Sequence, residues 1–256
     1  TFYIIVLLWS LEIALDTVSH LQNSQSFPRP LRIKAGLSLG IAALLRQSIL
    51  PWIPVLFVYI LWVAWRHRRL MLTVRSLAVV GGLLLVCILP WTYRNYQVYG
   101  TFLLLNSNTG YAMYSAQHPL HGVHFREFEA APLPEGLNLG NEAEMDRALM
   151  RLGIQFVVDE PVRYLRLSLS RVRAFFEFWP TPDTTLLHNV GRVGSYGAFL
   201  PFMLYGLYLA YSGSPFLPSI EGRDSVLGDA FMRRNGLLFI FILVYCVMHL
   251  LTWAMV

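Results

Sequence analysis

Charge is scarce in this chain. Asp, Glu, Lys and Arg make up only 14% of its 256 residues, against 55% hydrophobic residues. A soluble globule carries about 25% charged residues. The shortage excludes an ordinary water-soluble domain and places much of the chain in lipid, where apolar runs near 20 residues suit a hydrocarbon core about 30 Å thick. Lysine is almost missing, with Lys34 alone among 20 basic residues; nothing in the chain's physics explains that bias. Cysteine is scarce too. Cys87 and Cys246 both lie in apolar runs, so they read as small buried apolar groups and no disulfide framework follows. There is no phosphate-binding glycine loop, no dinucleotide fingerprint and no Ser-His-Asp pattern. The net charge of +5 needs no nucleic acid, because the inner loops of membrane proteins collect Arg and Lys. A signal peptide is also lacking. The chain begins with Thr1 in one apolar run and ends in another, Leu237 to Val256. It therefore reads as a segment of a longer membrane protein.

Six apolar stretches organise the rest. Residues 1–22, 33–47, Ile49–Trp65 and 71–90 are the first four, and Gly194–Tyr211 and Gly236–Val256 are the last two. The expected fold is all-α, a multi-pass transmembrane bundle of about six spans with a mostly helical outer loop inserted. Residues 1–90 hold four spans, 91–193 form an extracytoplasmic loop with amphipathic helices, and 194–256 hold two spans around a cytoplasmic loop. Orientation follows from the short basic loops. Arg29, Arg32 and Lys34 lie in the first, Arg66-His-Arg-Arg69 in the second, and Arg223, Arg233 and Arg234 in the third. Alternating spans put all three on the cytoplasmic side of the plasma (inner) membrane, leaving 91–193 outside.

The outer stretch carries helix signals of its own. Asn141 followed by Glu144 resembles a capping box, and Met145, Leu149, Leu152 and Phe156 repeat at helical spacing. Asp159-Glu160-Pro161 starts a second helix, with acid at its positive end and Pro at an early position. Its stripe is Val162, Leu165, Leu169, Val172 and Phe176, with Arg163, Arg166 and Arg173 off it. Two readings stay open here, a helix on the membrane surface and a helix packed on its predecessor.

Several polar groups are candidates for chemistry. Glu12, Asp16 and His20 share one face of the first helix. Ionisable groups in a span are costly, so a metal site or proton relay stands beside a simple packing role. Arg46 ends a short span in which Gly36 and Gly40 allow close helix approach. An arginine at that depth needs an anion, and its planar fork matches phosphate oxygens; snorkelling to the surface is the plain alternative. Pro90-Trp-Thr-Tyr-Arg-Asn95 sits where the fourth apolar run stops, so Arg94 and Asn95 are expected at the helix exit. Trp91, Tyr93, Tyr96 and Tyr99 suit an interfacial aromatic belt. Asn106, Asn108, Tyr111, Tyr114, Gln117 and His118 follow closely, a density of amides and rings that suits sugars as well as an ordinary polar loop. His118, His121 and His124 have no helix to bring them together on a metal.

The run Pro90-Trp-Thr-Tyr-Arg-Asn-Tyr-Gln-Val-Tyr-Gly100, then Asn108-Thr-Gly-Tyr-Ala-Met-Tyr114, resembles the C-type multi-pass glycosyltransferases. More narrowly it is similar to bacterial relatives of the dolichyl-phosphate-mannose protein mannosyltransferases and of the lipid A aminoarabinose transferase. Upstream, Gly36-x-x-x-Gly40 to Arg46 resembles their Gly-rich span ending in Leu-Thr-Arg-Pro, although Leu45 and Gln47 replace the usual Thr and Pro. Asn141-Glu142, Asp146-Arg147, Phe178-Trp179 and His249 also fit that pattern.

The resemblance implies an enzyme that takes a sugar from a polyprenyl-phosphate donor at the outer membrane face and inverts the anomeric centre. The acceptor would be a glycan, a lipid or a protein. Donor phosphate or sugar contacts fall to Arg46, Arg94, Asn95, Asn108, Tyr111 and His249. The catalytic base is expected in an acidic first outer loop upstream of Thr1, so Glu12 and Asp16 do not supply it. The metal requirement stays open, with a divalent ion conceivable in the whole enzyme. Expected partners are the lipid-linked sugar, an acceptor and membrane lipids, and no nucleic acid. The rival classes are a transporter or lipid flippase, which would favour paired repeats and broken helices, and a structural subunit.

The orientation is directly testable. A cysteine at Gly140 should react with an impermeant thiol reagent in intact cells, and one at Ser214 should not. The reverse labelling overturns the topology.

Overall fold

The computed structural model describes residues 2–23, 27–125, 131–137, 140–182, 184–212 and 227–252. Among them there is no strand. The helices are α1 (Phe2–Gln22), α2 (Arg29–Leu45), α3 (Trp52–Arg66), α4 (Leu70–Tyr99), α5 (Thr109–Gln117), α6 (Glu142–Asp159), α7 (Pro161–Phe175), α8 (Leu186–Arg192), α9 (Ala198–Ser212) and α10 (Leu227–Thr252). A 3-10 turn, Gln47–Ile49, leads into α3, another, Pro119–His121, follows α5, and a π turn, Val193–Gly197, joins α8 to α9. The third basic loop is shorter than expected. Helix α10 already begins at Leu227, so Arg233 and Arg234 are helical, while Arg223 lies outside the described residues.

Four helical stretches are long and apolar enough to cross a membrane: Phe2–Gln22, Gln47–Arg66, Leu70–Tyr99 and Asn235–Thr252. The expected count of six is not reached on this measure. Helix α2 has 17 residues and starts with Arg29, Arg32 and Lys34 in its first two turns, and α9 has 15 residues.

Packing among α1, α2, α3, α4 and α10 forms the main core, with Leu21, Leu39, Ile49, Trp52, Val80 and Leu237 almost fully buried. Two glycines set its closest approach. A Cβ at Gly36 would stand 2.6 Å from Leu83 Cβ, and one at Gly40 2.7 Å from Cys87 Cβ. Small residues at such a crossing let two helices touch through backbone and short side chains. The two contacts climb together along both helices, so α2 and α4 run parallel. Tyr3, at the start of α1, lies beneath the Arg46 guanidinium at 6.0 Å, so α1 runs against α2. Trp52 meets Phe241, and Gly236 faces the Tyr59 hydroxyl, so α3 runs against α10. The ends of α2, α4 and α10 therefore share one end of the bundle. The α1–α2 and α3–α4 connections share the other, where Arg29, Arg66, Arg68 and Arg69 gather.

Helix α4 overturns the expected stop at Pro90. It continues to Tyr99 and ends at Gly100, whose φ of 65° is left-handed, a conformation that favours glycine at a helix end. Tertiary contacts hold the added turns. Trp91 Nε1 donates to Leu105 O at 3.1 Å, and Thr92 Oγ1 to Leu104 O at 2.7 Å. Asn95 Nδ2 donates to Leu105 O at 3.0 Å and Leu103 O at 3.3 Å. The chain turns at Gly100 and is laced back along the helix it has just left. A helix of 30 residues is about 45 Å long, about 15 Å more than a hydrocarbon core is thick.

A second, smaller core of Tyr114, Ala131 and Leu149, flanked by Leu120, Met145, Leu152 and Phe156, joins α5 to α6. The stripe expected on α6 is thus its packed face. Asn141 caps that helix, its Oδ1 accepting from the amides of Ala143 and Glu144. Its Nδ2 donates to Tyr99 O at 3.1 Å. Glu142 accepts from the hydroxyls of Tyr99 and Ser107, which ties α6 to the projecting end of α4.

The α2–α4 crossing gives a stability prediction. Gly40→Leu should overpack it and cost about 1–3 kcal/mol. Gly82→Ala enters open space and should be neutral or stabilising by up to about 1 kcal/mol. Thermal unfolding of the purified chain in detergent reads both, and equal melting of the two variants would refute the close crossing.

Candidate functional site

The six residues singled out in the sequence lie at one end of the bundle. Arg46 follows the last residue of α2 with extended backbone, φ −156° and ψ 113°. Its guanidinium sits over Tyr3, whose hydroxyl meets that of Tyr245 at 2.8 Å. Next to it, Gln47 Nε2 donates to Thr109 Oγ1 at 2.6 Å. The end of α2 is thereby joined to the start of α5, where Asn108 and Tyr111 flank the contact. Asn108 and Tyr111 are both exposed, and the Asn108 side chain makes no cap on α5.

Arg94 and Asn95 divide their roles. Asn95 is buried at 2% exposure, with its amide spent on the 103–105 carbonyls. Arg94 is exposed, 5.1 Å from the Trp91 ring centroid, and its Nη1 donates to Asn95 Oδ1 at 3.3 Å. Arg94 lies two turns beyond Cys87 on the same side of α4. The parallel pairing of Gly36 with Leu83 and Gly40 with Cys87 carries Arg46 to the level of Tyr93 and Arg94. The backbone at Arg46 and at Arg94 thus stands near one level of two neighbouring helices.

Asp146, which the sequence offered only as part of the family resemblance, organises the start of α5. Its Oδ1 accepts from the Gly110 amide at 2.6 Å, though the residue is only 8% exposed. A carboxylate at a helix N-terminus satisfies orphan amides and meets the positive end of the dipole. Burial nevertheless raises its pKa, opposed by bonds to the backbone of Gly110 and Tyr111. Gly110 must be glycine, because a Cβ there would overlap the Asp146 carbonyl, and Gly153 faces the Met113–Tyr114 backbone in the same way. The Asn-x-Gly-Tyr segment therefore has a packing reason for its glycine.

His249 is 9% exposed, and its ring centroid lies 4.7 Å from that of Phe175. The group beside it is Arg171, which sequence reasoning missed. Arg171 is fully buried. Its Nη1 donates to Leu250 O at 2.9 Å and Leu251 O at 3.1 Å; its Nη2 donates to Ala116 O and to Gln117 Oε1. Desolvation lowers its pKa to about 10, which leaves it charged at neutral pH. The only signal was its position opposite the apolar stripe of α7, with Leu167 and Ser168.

The remaining candidates separate. Glu12 and Asp16 are exposed on the outside of α1, whose other face, Ile13, Ala14, Thr17 and Val18, is core. His118 Nδ1 accepts from the Leu120 amide, and His121 Nε2 bonds Ser115 O. Burial and nearby Arg163 lower the His118 pKa. Among the described residues no group of three His, Cys, Asp or Glu side chains is placed to hold a metal ion. Cys87 and Cys246 are free.

No family model, curated protein or solved structure matches this chain.

Asp146 yields a separable prediction. Asp146→Ala should lose the cap and destabilise the chain by about 1 kcal/mol. Asp146→Asn keeps an acceptor without the buried charge and should melt near the unsubstituted chain. Equal losses in both variants would show that the charge, and not the acceptor, holds α5.

Proposed function

We propose that the chain is the membrane portion of a glycosyltransferase that takes a sugar from a polyprenyl-phosphate donor at the outer membrane face. The observation that carries this reading is the shared level of Arg46 and Arg94 at one bundle end, beside exposed Asn108 and Tyr111. Two guanidinium forks there suit a phosphate at a bilayer surface, and they stabilise charge as the phosphate departs from the sugar. Asn108 and Tyr111 supply an amide and a ring of the kind that sugars use. Asn95 positions the 101–108 segment, and His249 contributes by packing the end of α10. The residue that deprotonates the acceptor is not assigned to this chain. The reading includes α2 and the helical stretch 186–212 as the further two spans of a six-span bundle. Support for α2 comes from its parallel packing along α4, and for 186–212 from its helical continuity. The gathering of short-loop arginines at the opposite end supports an outer location for the candidate residues.

The test uses the full chain in nanodiscs. Arg94→Ala should weaken binding of a polyprenyl-phosphate sugar about tenfold or more, as expected for loss of a charge-assisted bond. Arg94→Lys should recover only part, since a point charge replaces a fork. In a transfer assay with the enzyme that contains this chain, product should appear with the lipid-linked sugar as sole donor. Product from a nucleotide sugar alone, with none from the lipid-linked form, would sink the reading.

A further inference from the structure

Helix α7 has two faces of opposite character. One is locked into the protein. Leu167 and Ser168 are buried, Arg171 binds the Leu250 and Leu251 carbonyls of α10, and Arg163 Nη2 donates to Gln117 O at 2.9 Å. The other face carries Val162, Leu165, Leu169, Val172 and Phe176, all exposed, with Leu169 at 69%. The packing of this stripe on α6, open from the sequence alone, is therefore absent. Between Glu160 and Glu177 the helix has four arginines and no carboxylate. Arg166 and Arg173 lie beside the exposed stripe.

What covers this face follows from its location and charge. Leu250 and Leu251, which accept from Arg171, lie five and six residues past Tyr245, whose hydroxyl meets that of Tyr3 under the Arg46 guanidinium at the end of α2. A helix anchored there sits just past the bundle end at which α2 stops, at the boundary between hydrocarbon and water. Bulky apolar groups in line with basic ones match that boundary, where acyl chains take the apolar side and phosphates meet the arginines. A second copy docking through the same face would set Arg166 and Arg173 against their own equivalents in a two-fold contact.

We propose that α7 is a membrane-surface helix whose Val162, Leu165, Leu169, Val172 and Phe176 enter the lipid interface beside the end of α10, with Arg166 and Arg173 on anionic lipid phosphates. This stands independently of the sugar-transfer reading, since it concerns only the lipid surface.

The experiment is site-directed spin labelling of the full chain in vesicles, in a background with Cys87→Ala and Cys246→Ala. Labels go at Leu169→Cys, Val162→Cys and, as a control on the exposed side of α6, Arg151→Cys. Oxygen should relax the two α7 labels several-fold more than a water-soluble nickel chelate does, and the order should reverse at Arg151. Phosphatidylglycerol added to phosphatidylcholine should deepen the α7 labels, and Arg166→Ser with Arg173→Ser should abolish that shift. Nickel access at Leu169 equal to that at Arg151 would place the stripe in water and overturn the proposal. Poor access to both reagents would place it against protein and overturn it equally. No response to phosphatidylglycerol in the chain with both arginines would remove the phosphate contact.

Discussion

A desolvated guanidinium on α7 joins α5 and α7 to the main helical bundle. Arg171 is withdrawn from water, and a buried charge is tolerated only when hydrogen bonds replace its hydration. Here the partners of Nη1 and Nη2 are carbonyl oxygens of two helices, Ala116 at the end of α5 and Leu250 and Leu251 of α10, together with the Gln117 side-chain oxygen. The last carbonyls of a helix have no intrahelical partner and carry the negative end of its dipole. At α5 that unsatisfied end meets the cation through Ala116 O. The arrangement also fixes α7, which bears Arg171, against Leu250 and Leu251 of α10. Gln117 Nε2 donates to Leu251 O as well, so α5 is tied to the same place twice.

The other connections act in series with that one. Helix α4 passes Pro90 because Trp91, Thr92 and Asn95 find acceptors in the strand of chain that returns after Gly100. Helix α6 is capped by Asn141 and fastened to Tyr99, and its Asp146 in turn caps α5. Gln47 then brings α5 back to the end of α2. The candidate residues are thus carried on a closed circuit of helix ends. Each end supplies a donor or acceptor that the next one lacks. That circuit gives Arg46, Arg94, Asn108 and Tyr111 a common neighbourhood although 65 positions of sequence separate the first from the last.

Sequence and structure part company at identifiable places. The apolar runs, the Gly36–Gly40 approach, the Asn141 cap and the α6 stripe were legible because each rests on local periodicity or on one residue's backbone chemistry. The end of α4 was misplaced because Pro90 removes only one amide, while the contacts that outweigh it come from residues 103–105. Arg171 went unnoticed because a lone arginine in an Arg-rich helix looks solvated until its partners are known. Asp146 was invisible as a cap because the amide it meets lies 36 residues earlier.

By itself, then, the sequence determined that this is an all-helical chain with much of its surface suited to lipid, since composition and hydrophobic period need no knowledge of neighbours. It also determined which polar residues stand at the ends of apolar runs, whereas two of the three basic segments expected as loops, around Arg29 and Arg233, are helical. Only the tertiary structure decided which of those residues are consumed in holding the fold, as Asn95 and His249 are, and which remain exposed, as Arg94 and Asn108 do. Only it decided that the apolar face of α7 points away from the protein. Those outcomes depend on desolvation and on hydrogen-bond partners supplied by distant segments, and a one-dimensional pattern does not encode distance.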